Sequence, residues 1–211
     1  VVTYDRRGRG DSGDALPYAV EREIEDLAAV IEVTGGPAAV LGLSSGAALA
    51  VLAAAAGVPI RRLALNEPPY VVDDTRPGPG APTAAALTEL AARDRDETVR
   101  VFMTAMGLPG EVIEGMRGSP MWGGLVAVAH TLAYDAAVLG DESRLPAQAC
   151  AAIGVPTLVV DSSASPEWMR NAAAAVVEAI PTARALTLEG QDHFTADPGD
   201  LARGIAPFLQ E

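Results

Sequence analysis

The chain has 211 residues, 49% of them apolar, with 15 basic against 28 acidic side chains and a net charge of -13 at pH 7. All the basic residues are arginine, and the acidic balance argues against nucleic acid or an anionic membrane as partner, because such binding depends on cations neutralising phosphate charge. The single cysteine, Cys150, excludes an internal disulfide, and with only His130 and His193 beside it a His/Cys metal site is not expected.

Val1 to Tyr4 reads as a short buried strand running into the polar, glycine-rich segment Asp5-Arg6-Arg7-Gly8-Arg9-Gly10-Asp11-Ser12-Gly13. No charged region precedes an apolar run here, so no secretory signal is read and a cytoplasmic location is the expectation. From Tyr18 to Val33 the apolar Val20, Ile24, Leu27, Ala28 and Ile31 recur at helical spacing, with charges between them, and Gly35-Gly36-Pro37 closes the helix. The run from Pro37 to Ile60 carries no charge and is long enough to cross a bilayer. Its glycines, serines and many alanines instead favour a strand over 38–43, a tight turn and a buried helix over 47–56. Arg62 to Leu65 reads as a third strand, stopped by Pro68-Pro69.

Beyond Val71 the pattern changes. A Pro/Gly-rich stretch, Arg76 to Pro82, leads into helical periodicities broken at Gly107-Leu108-Pro109-Gly110 and Gly118-Ser119-Pro120, and no strand is read before Gly154. After Pro156 the alternation returns, with strands over 157–161 and 183–188 and helices over 167–180 and 201–209. Short apolar strands alternating with helices predict an α/β fold, a mostly parallel sheet flanked by helices, interrupted by an all-helical insertion.

Two glycine motifs compete for a function. Gly8 to Gly13 matches the dinucleotide pattern G-x-G-x-x-G, but Pro17 interrupts the helix that the glycines should open, and the strand over 38–43 ends at Ser44 where a ribose-binding acid belongs. Gly42-Leu43-Ser44-Ser45-Gly46 matches G-x-S-x-G, in which a serine sits on a sharp turn from strand to helix. The crowded turn asks for small residues two before and two after the serine, and both are glycine. Such a turn presents the Ser44 hydroxyl at the carboxyl edge of the sheet and aims the Ser45 amide at a developing oxyanion. A base is then required. His193 follows the last predicted strand, in Leu188-Glu189-Gly190-Gln191-Asp192-His193, and should share that edge; His130 lies in the helical insertion, where a structural or substrate-lining role fits better.

These residues together resemble the α/β-hydrolase fold superfamily, in its esterase-like branch: the loop Tyr4 to Gly13, the elbow Gly42 to Gly46, Glu67-Pro68-Pro69, and the final Leu188 to His193 occur in that family's order along the whole chain. In the family the acid that orients the histidine usually follows the penultimate strand. Here that stretch is Val159-Val160-Asp161-Ser162-Ser163-Ala164-Ser165-Pro166, with Ser165 at the expected place. Some relatives carry the acid after the strand before the insertion, which in this chain is Glu67. Glu67 is therefore read as the acid, with Asp161 and a Ser/His pair lacking any carboxylate as the alternatives. The resemblance also implies that further strands and the loop donating the second oxyanion N–H precede a segment like Val1 to Asp5, so the 211 residues read as a fragment.

The expected protein is a serine hydrolase that cleaves an ester, lactone or related acyl bond of a small-molecule substrate without a cofactor. Ser44, His193 and Glu67 are its catalytic residues, and Ser45 is the oxyanion donor. Residues 1–70 and 155–211 form the expected core and 71–154 a helical lid, with Met121, Trp122, Leu125 and Tyr134 either lining a pocket or filling the lid's own core. Two other classes stay open: a non-catalytic ligand-binding relative, and a less favoured NAD(P)-dependent oxidoreductase. No oligomeric state is read.

Overall fold

The computed structural model describes residues 1–77 and 80–211; Gly78 and Pro79, inside the expected Pro/Gly-rich opening of the insertion, lie outside the described residues. The chain divides into two compact units, one formed by Val1–Glu23 and Arg76–Ser143 and the other by Ile24–Thr75 and Arg144–Glu211.

The second unit holds the sheet. Its strands β1 (Ala38–Leu43), β2 (Ile60–Asn66), β3 (Thr157–Ser162) and β4 (Ala183–Leu188) lie in that spatial order, and every neighbouring pair is parallel. Parallel neighbours require crossovers, and helices supply them. α1 (Val20–Val33), whose Ile24 onward belongs to this unit, precedes β1, and α2 (Ser45–Ala55) joins β1 to β2. α2 is apolar on nearly every side, and Ala47, Ala48, Leu49, Ala50, Val51 and Ala53 are buried, which is why this uncharged stretch needs no membrane to cover it. On another part of the sheet, Ala64, Leu158, Val160 and Leu188 pack with Ile205 and Phe208 of the last helix. The helical segment departs and returns at adjacent points, since Val71 and Arg144 form a parallel bridge.

The other unit contains α3 (Ala84–Arg93), α4 (Arg95–Ala105), α5 (Gly110–Arg117), α6 (Pro120–Ala127) and α7 (Leu132–Leu139). Thr83 caps α3 by accepting from the Ala86 amide at 3.2 Å, and Asp94 caps α4 by accepting from Glu97 at 2.9 Å. Its core joins Val99, Ile113, Trp122 and Ala129 with half-buried Met103 and Leu125, so Trp122 and Leu125 fill the unit's interior while Met121 is exposed. The short α8 (Ala147–Ala151) belongs to the sheet unit, which α9 (Glu167–Ala179) and α10 (Pro198–Gln210) complete. Among the described residues no single helix is long and apolar enough to cross a membrane.

Three expectations change. Val1–Tyr4 forms no strand, and Val1 and Val2 are exposed; a strand exists only where a neighbour completes its ladder, and none pairs here. Residues 1–23, expected with the sheet, group with the helical segment. They are tied to it by Arg6, which donates to Glu23 and to Asp135 at 2.9 Å, and by Tyr18, whose ring stacks on Tyr134 at 4.0 Å. Glu23, counted by periodicity among the solvent-facing charges of α1, is 1% exposed because these partners satisfy it.

Candidate active site

The elbow is built by a steric exclusion at one glycine. A Cβ on Gly42 would lie 2.5 Å from the Gly46 carbonyl oxygen and 2.6 Å from Ala47 Cα, so only glycine lets β1 and α2 approach this closely. At Gly46 a Cβ would meet nothing within 4 Å, so the small residue expected there is not sterically required. Between them Ser44 adopts φ 52° and ψ -121°, a conformation that L-residues rarely occupy. Its amide donates to the Asn66 carbonyl at 2.9 Å and its own carbonyl accepts from Ala47 at 2.9 Å, so backbone bonds on both sides hold the strained residue in place. Ser45 opens α2, and its amide lies in the turn whose N–H groups point out of the helix N-terminus.

His193 lies in the loop after β4. The Asp192 carboxylate accepts from the amides of Phe194 at 2.8 Å and Thr195 at 3.0 Å, folding the loop around the histidine; these bonds, the Phe194 amide above all, hold the Asp192 carboxyl below the usual range. Gln191 anchors the same loop to α10 through Asp200 at 2.7 Å and the Asp197 amide at 2.8 Å. Asp192 thus shapes the loop that carries His193.

His193 Nδ1 lies 2.9 Å from Glu67 Oε2, and the carboxylate is buried at the end of β2. Glu67 also has a left-handed backbone, φ 46°, and its amide donates to Val160 of β3 at 2.9 Å. The other carboxylate oxygen, Oε1, accepts from Ser165 Oγ at 2.5 Å and from the Ser162 amide at 3.2 Å. Asp161, the alternative acid, points elsewhere: its Oδ1 accepts from Thr187 Oγ1 at 2.7 Å across the β3–β4 ladder. The structure therefore brings His193 to Glu67 and not to Asp161. Ser44 Oγ makes no hydrogen bond among the described residues. In proteins that use such a pair, that bond is often long until substrate binds.

His130 belongs to the helical unit. Its Nε2 is 3.6 Å from Asp14 Oδ2, its ring meets Tyr134 edge-on at 6.0 Å, and burial, followed by the positive charge of Arg95, lowers its pKa. Tyr134 donates to Asp14 at 2.7 Å and lines a cavity of about 1050 Å³ within that unit. Gly8 and Gly10 of the dinucleotide-like motif have φ of 73° and 51° and sit where the backbone is closely packed. A Cβ on Gly10 would strike the Asp5 carboxylate, which accepts from the Asp11 amide at 3.0 Å, and one on Gly8 would come 2.9 Å from Thr131. The following helix starts only at Val20. Cys150 is buried, and its thiol is pushed up to about 11 by that burial. No group of three or more metal-ligating side chains occurs among the described residues.

The contacts of Ser162 and Ser165 with Glu67 escape any reading of local pattern, because they join residues 95 and 98 positions apart.

Comparison with known proteins places this geometry. The model of the alpha/beta hydrolase family matches residues 1–203. Among solved structures, an alpha/beta hydrolase from Sphaerobacter thermophilus is 52% identical with a TM-score of 0.86, the match covering 98% of this chain and 79% of that one. A hydrolase from Pseudomonas aeruginosa is 27% identical with a TM-score of 0.68, over 99% of this chain and 78% of the other. An esterase from Exiguobacterium antarcticum, 19% identical with a TM-score of 0.71 over 98% and 80%, shares the fold. No match is found among the curated proteins. With its parallel sheet, its strained serine after β1 and this match over nearly its whole length, the chain belongs to the alpha/beta hydrolase family.

Proposed function

We propose that the protein hydrolyses a carboxylic ester, a lactone or a related acyl bond of a small molecule through a covalent acyl-enzyme. The observation that carries the reading is the pairing of His193 Nδ1 with a buried carboxylate at 2.9 Å, on the same sheet unit as a serine held at φ 52°. With its proton on Nδ1 and donated to Glu67, the imidazole offers Nε2 as the base. Ser44 Oγ attacks the acyl carbon while Nε2 takes the hydroxyl proton, and the negative charge that forms on the carbonyl oxygen is met by the Ser45 amide at the N-terminus of α2. Collapse of the tetrahedral adduct expels the alcohol, which leaves with the proton held on Nε2. Water, deprotonated by the same nitrogen, then attacks the acyl-serine, releasing the acid and restoring the hydroxyl. Enol-lactonase and esterase are among the proteins of like fold, from Burkholderia xenovorans and Exiguobacterium antarcticum, and both activities are of the proposed class.

The test is hydrolysis of p-nitrophenyl butyrate by the parent and by Ser44→Ala, together with labelling by a fluorophosphonate. The proposal expects the parent to turn over and to be labelled at Ser44, and the variant to do neither; a variant as active as the parent rejects Ser44 as nucleophile. The absence of a hydrogen bond from Ser44 Oγ favours one other reading, a non-catalytic ligand-binding relative. That reading expects no labelling of the parent.

A further inference from the structure

The acid of the proposed triad does not hold its own position. Glu67 combines a left-handed backbone with a side chain of three rotatable bonds, and the loop on which it stands has no regular structure to fix that side chain. What fixes it is the turn between β3 and α9. Ser165 is buried and donates its hydroxyl to Glu67 Oε1 at 2.5 Å, a length typical of a hydroxyl on an ionised carboxylate. The Ser162 amide adds a second, longer donor to the same oxygen at 3.2 Å. With Oε1 occupied from one side, the plane of the carboxylate is set, and Oε2 is the atom left to face His193.

The same turn also holds the loop of the base. The Ser163 amide donates to Leu188, the Ala164 amide donates to Gln191, both at 2.9 Å, and Ser163 Oγ accepts from the Gly190 amide at 2.8 Å. The turn itself is closed by the Ser165 amide on the Ser162 carbonyl at 3.0 Å. Three serines in four positions thus reach both the carboxylate and the backbone beside the histidine.

We infer that Ser165 is a positioning residue: its hydroxyl orients the Glu67 carboxylate so that Oε2 receives the His193 Nδ1 proton. The inference rests on the Ser44–His193–Glu67 reading and extends it to a fourth side chain. A purely structural hydroxyl would affect stability and leave turnover alone.

Ser165→Ala and Ser165→Thr, with Ser44→Ala as reference, separate these roles when kcat and KM for p-nitrophenyl butyrate are measured alongside the proton spectrum of the imidazole Nδ1–H. Ser165→Ala should lower kcat by about tenfold to a hundredfold, the range of a lost hydrogen bond to a charged group. It should leave KM within about twofold and move the His193 Nδ1–H resonance upfield. Ser165→Thr, which keeps the hydroxyl, should recover most of the rate and the resonance. The inference is overturned if Ser165→Ala keeps the parental kcat while Ser44→Ala is inactive, or if Ser165→Thr is no faster than Ser165→Ala. A Ser44→Ala variant with parental turnover would instead remove the triad reading itself.

Discussion

Glu67 shows how much one residue can be asked to do. Its side chain is buried and its carboxylate meets hydrogen-bond partners on both oxygens, so replacing it by an amide sets an N–H₂ against the donors of Ser165, Ser162 or His193. Glu67→Gln should therefore cost about 10³ to 10⁴ in kcat, as expected when the orienting acid is lost. Asp161→Asn, which changes only an exposed contact with Thr187, should stay within about twofold in the same ester assay; a larger loss would mean that Asp161 has a part in the chemistry. The G-x-S-x-G turn singles out Ser44, and the place after the last strand singles out His193, as candidates, because residues that follow the strands of a parallel sheet share its carboxyl edge. For the acid the sequence favours Glu67, with Asp161 or a Ser/His pair lacking any carboxylate as the alternatives. What the sequence does not carry is the pairing of β2 with β3, which brings the Glu67 amide to Val160 and the Glu67 carboxylate to Ser162 and Ser165. Composition and spacing do not encode contacts of that span.

At the scale of elements, the elbow is a unit of strand, turn and helix whose geometry is enforced at Gly42. Gly42→Ala would push a methyl into the backbone of Gly46 and Ala47, which cannot swing aside as a side chain would. Overpacking of this kind costs about 1–3 kcal/mol or more. At about 2–4 °C per kcal/mol for a chain of this size, the melting temperature should fall by roughly 2–12 °C. Gly46→Ala, with open space around the new methyl, should shift it by no more than about 2 °C, so thermal melting of the two variants separates required from incidental glycine. The element boundaries show what periodicity misses. The last helix begins at Pro198, ahead of its first apolar residue, because Asp197 accepts from the Asp200 amide at 2.9 Å and Pro198 takes the first-turn position. β2 begins at Ile60, ahead of the arginines, since Arg61 donates to the Leu209 carbonyl at 3.1 Å and Arg62 lies over the Phe208 ring at 5.3 Å; both arginines are thus satisfied within the strand. Strands β1 and β4, whose limits are set by glycine, proline and apolar content, were readable to the residue.

At the scale of the whole molecule, the chain forms two compact units, and the helical one has a network of its own. The helical unit is fastened by a buried ion pair: Arg6 donates to Glu23 and Asp135, and Tyr18 donates to Glu23 at 2.7 Å. Burial opposes the ionisation of Glu23, but the hydrogen bonds from Arg6 and Tyr18 outweigh it and hold the carboxyl below its usual value. A carboxyl depressed in the folded state contributes stability that is fully present above its unfolded value of about 4.3 and is lost as pH falls through the folded one. The parent should thus lose melting temperature as pH drops from about 5 to 3. Glu23→Gln should start lower at pH 7, by about 2 kcal/mol of lost charge-assisted bonding, and lose less over that interval. A variant that matches the parent at both ends would place the depressed titration elsewhere.

The two tryptophans fall one to each unit, Trp122 in the helical core and Trp168 on α9 of the sheet unit, and both are buried. Intrinsic fluorescence therefore contains two addresses. In Trp168→Phe the remaining emission reports only the helices, where the Trp122 indole N–H donates to Asp96 at 2.7 Å. In Trp122→Phe it reports only the sheet. Denaturant curves of the two single-tryptophan proteins that coincide would show one cooperative unfolding transition; curves with different midpoints would give the order in which the two units come apart.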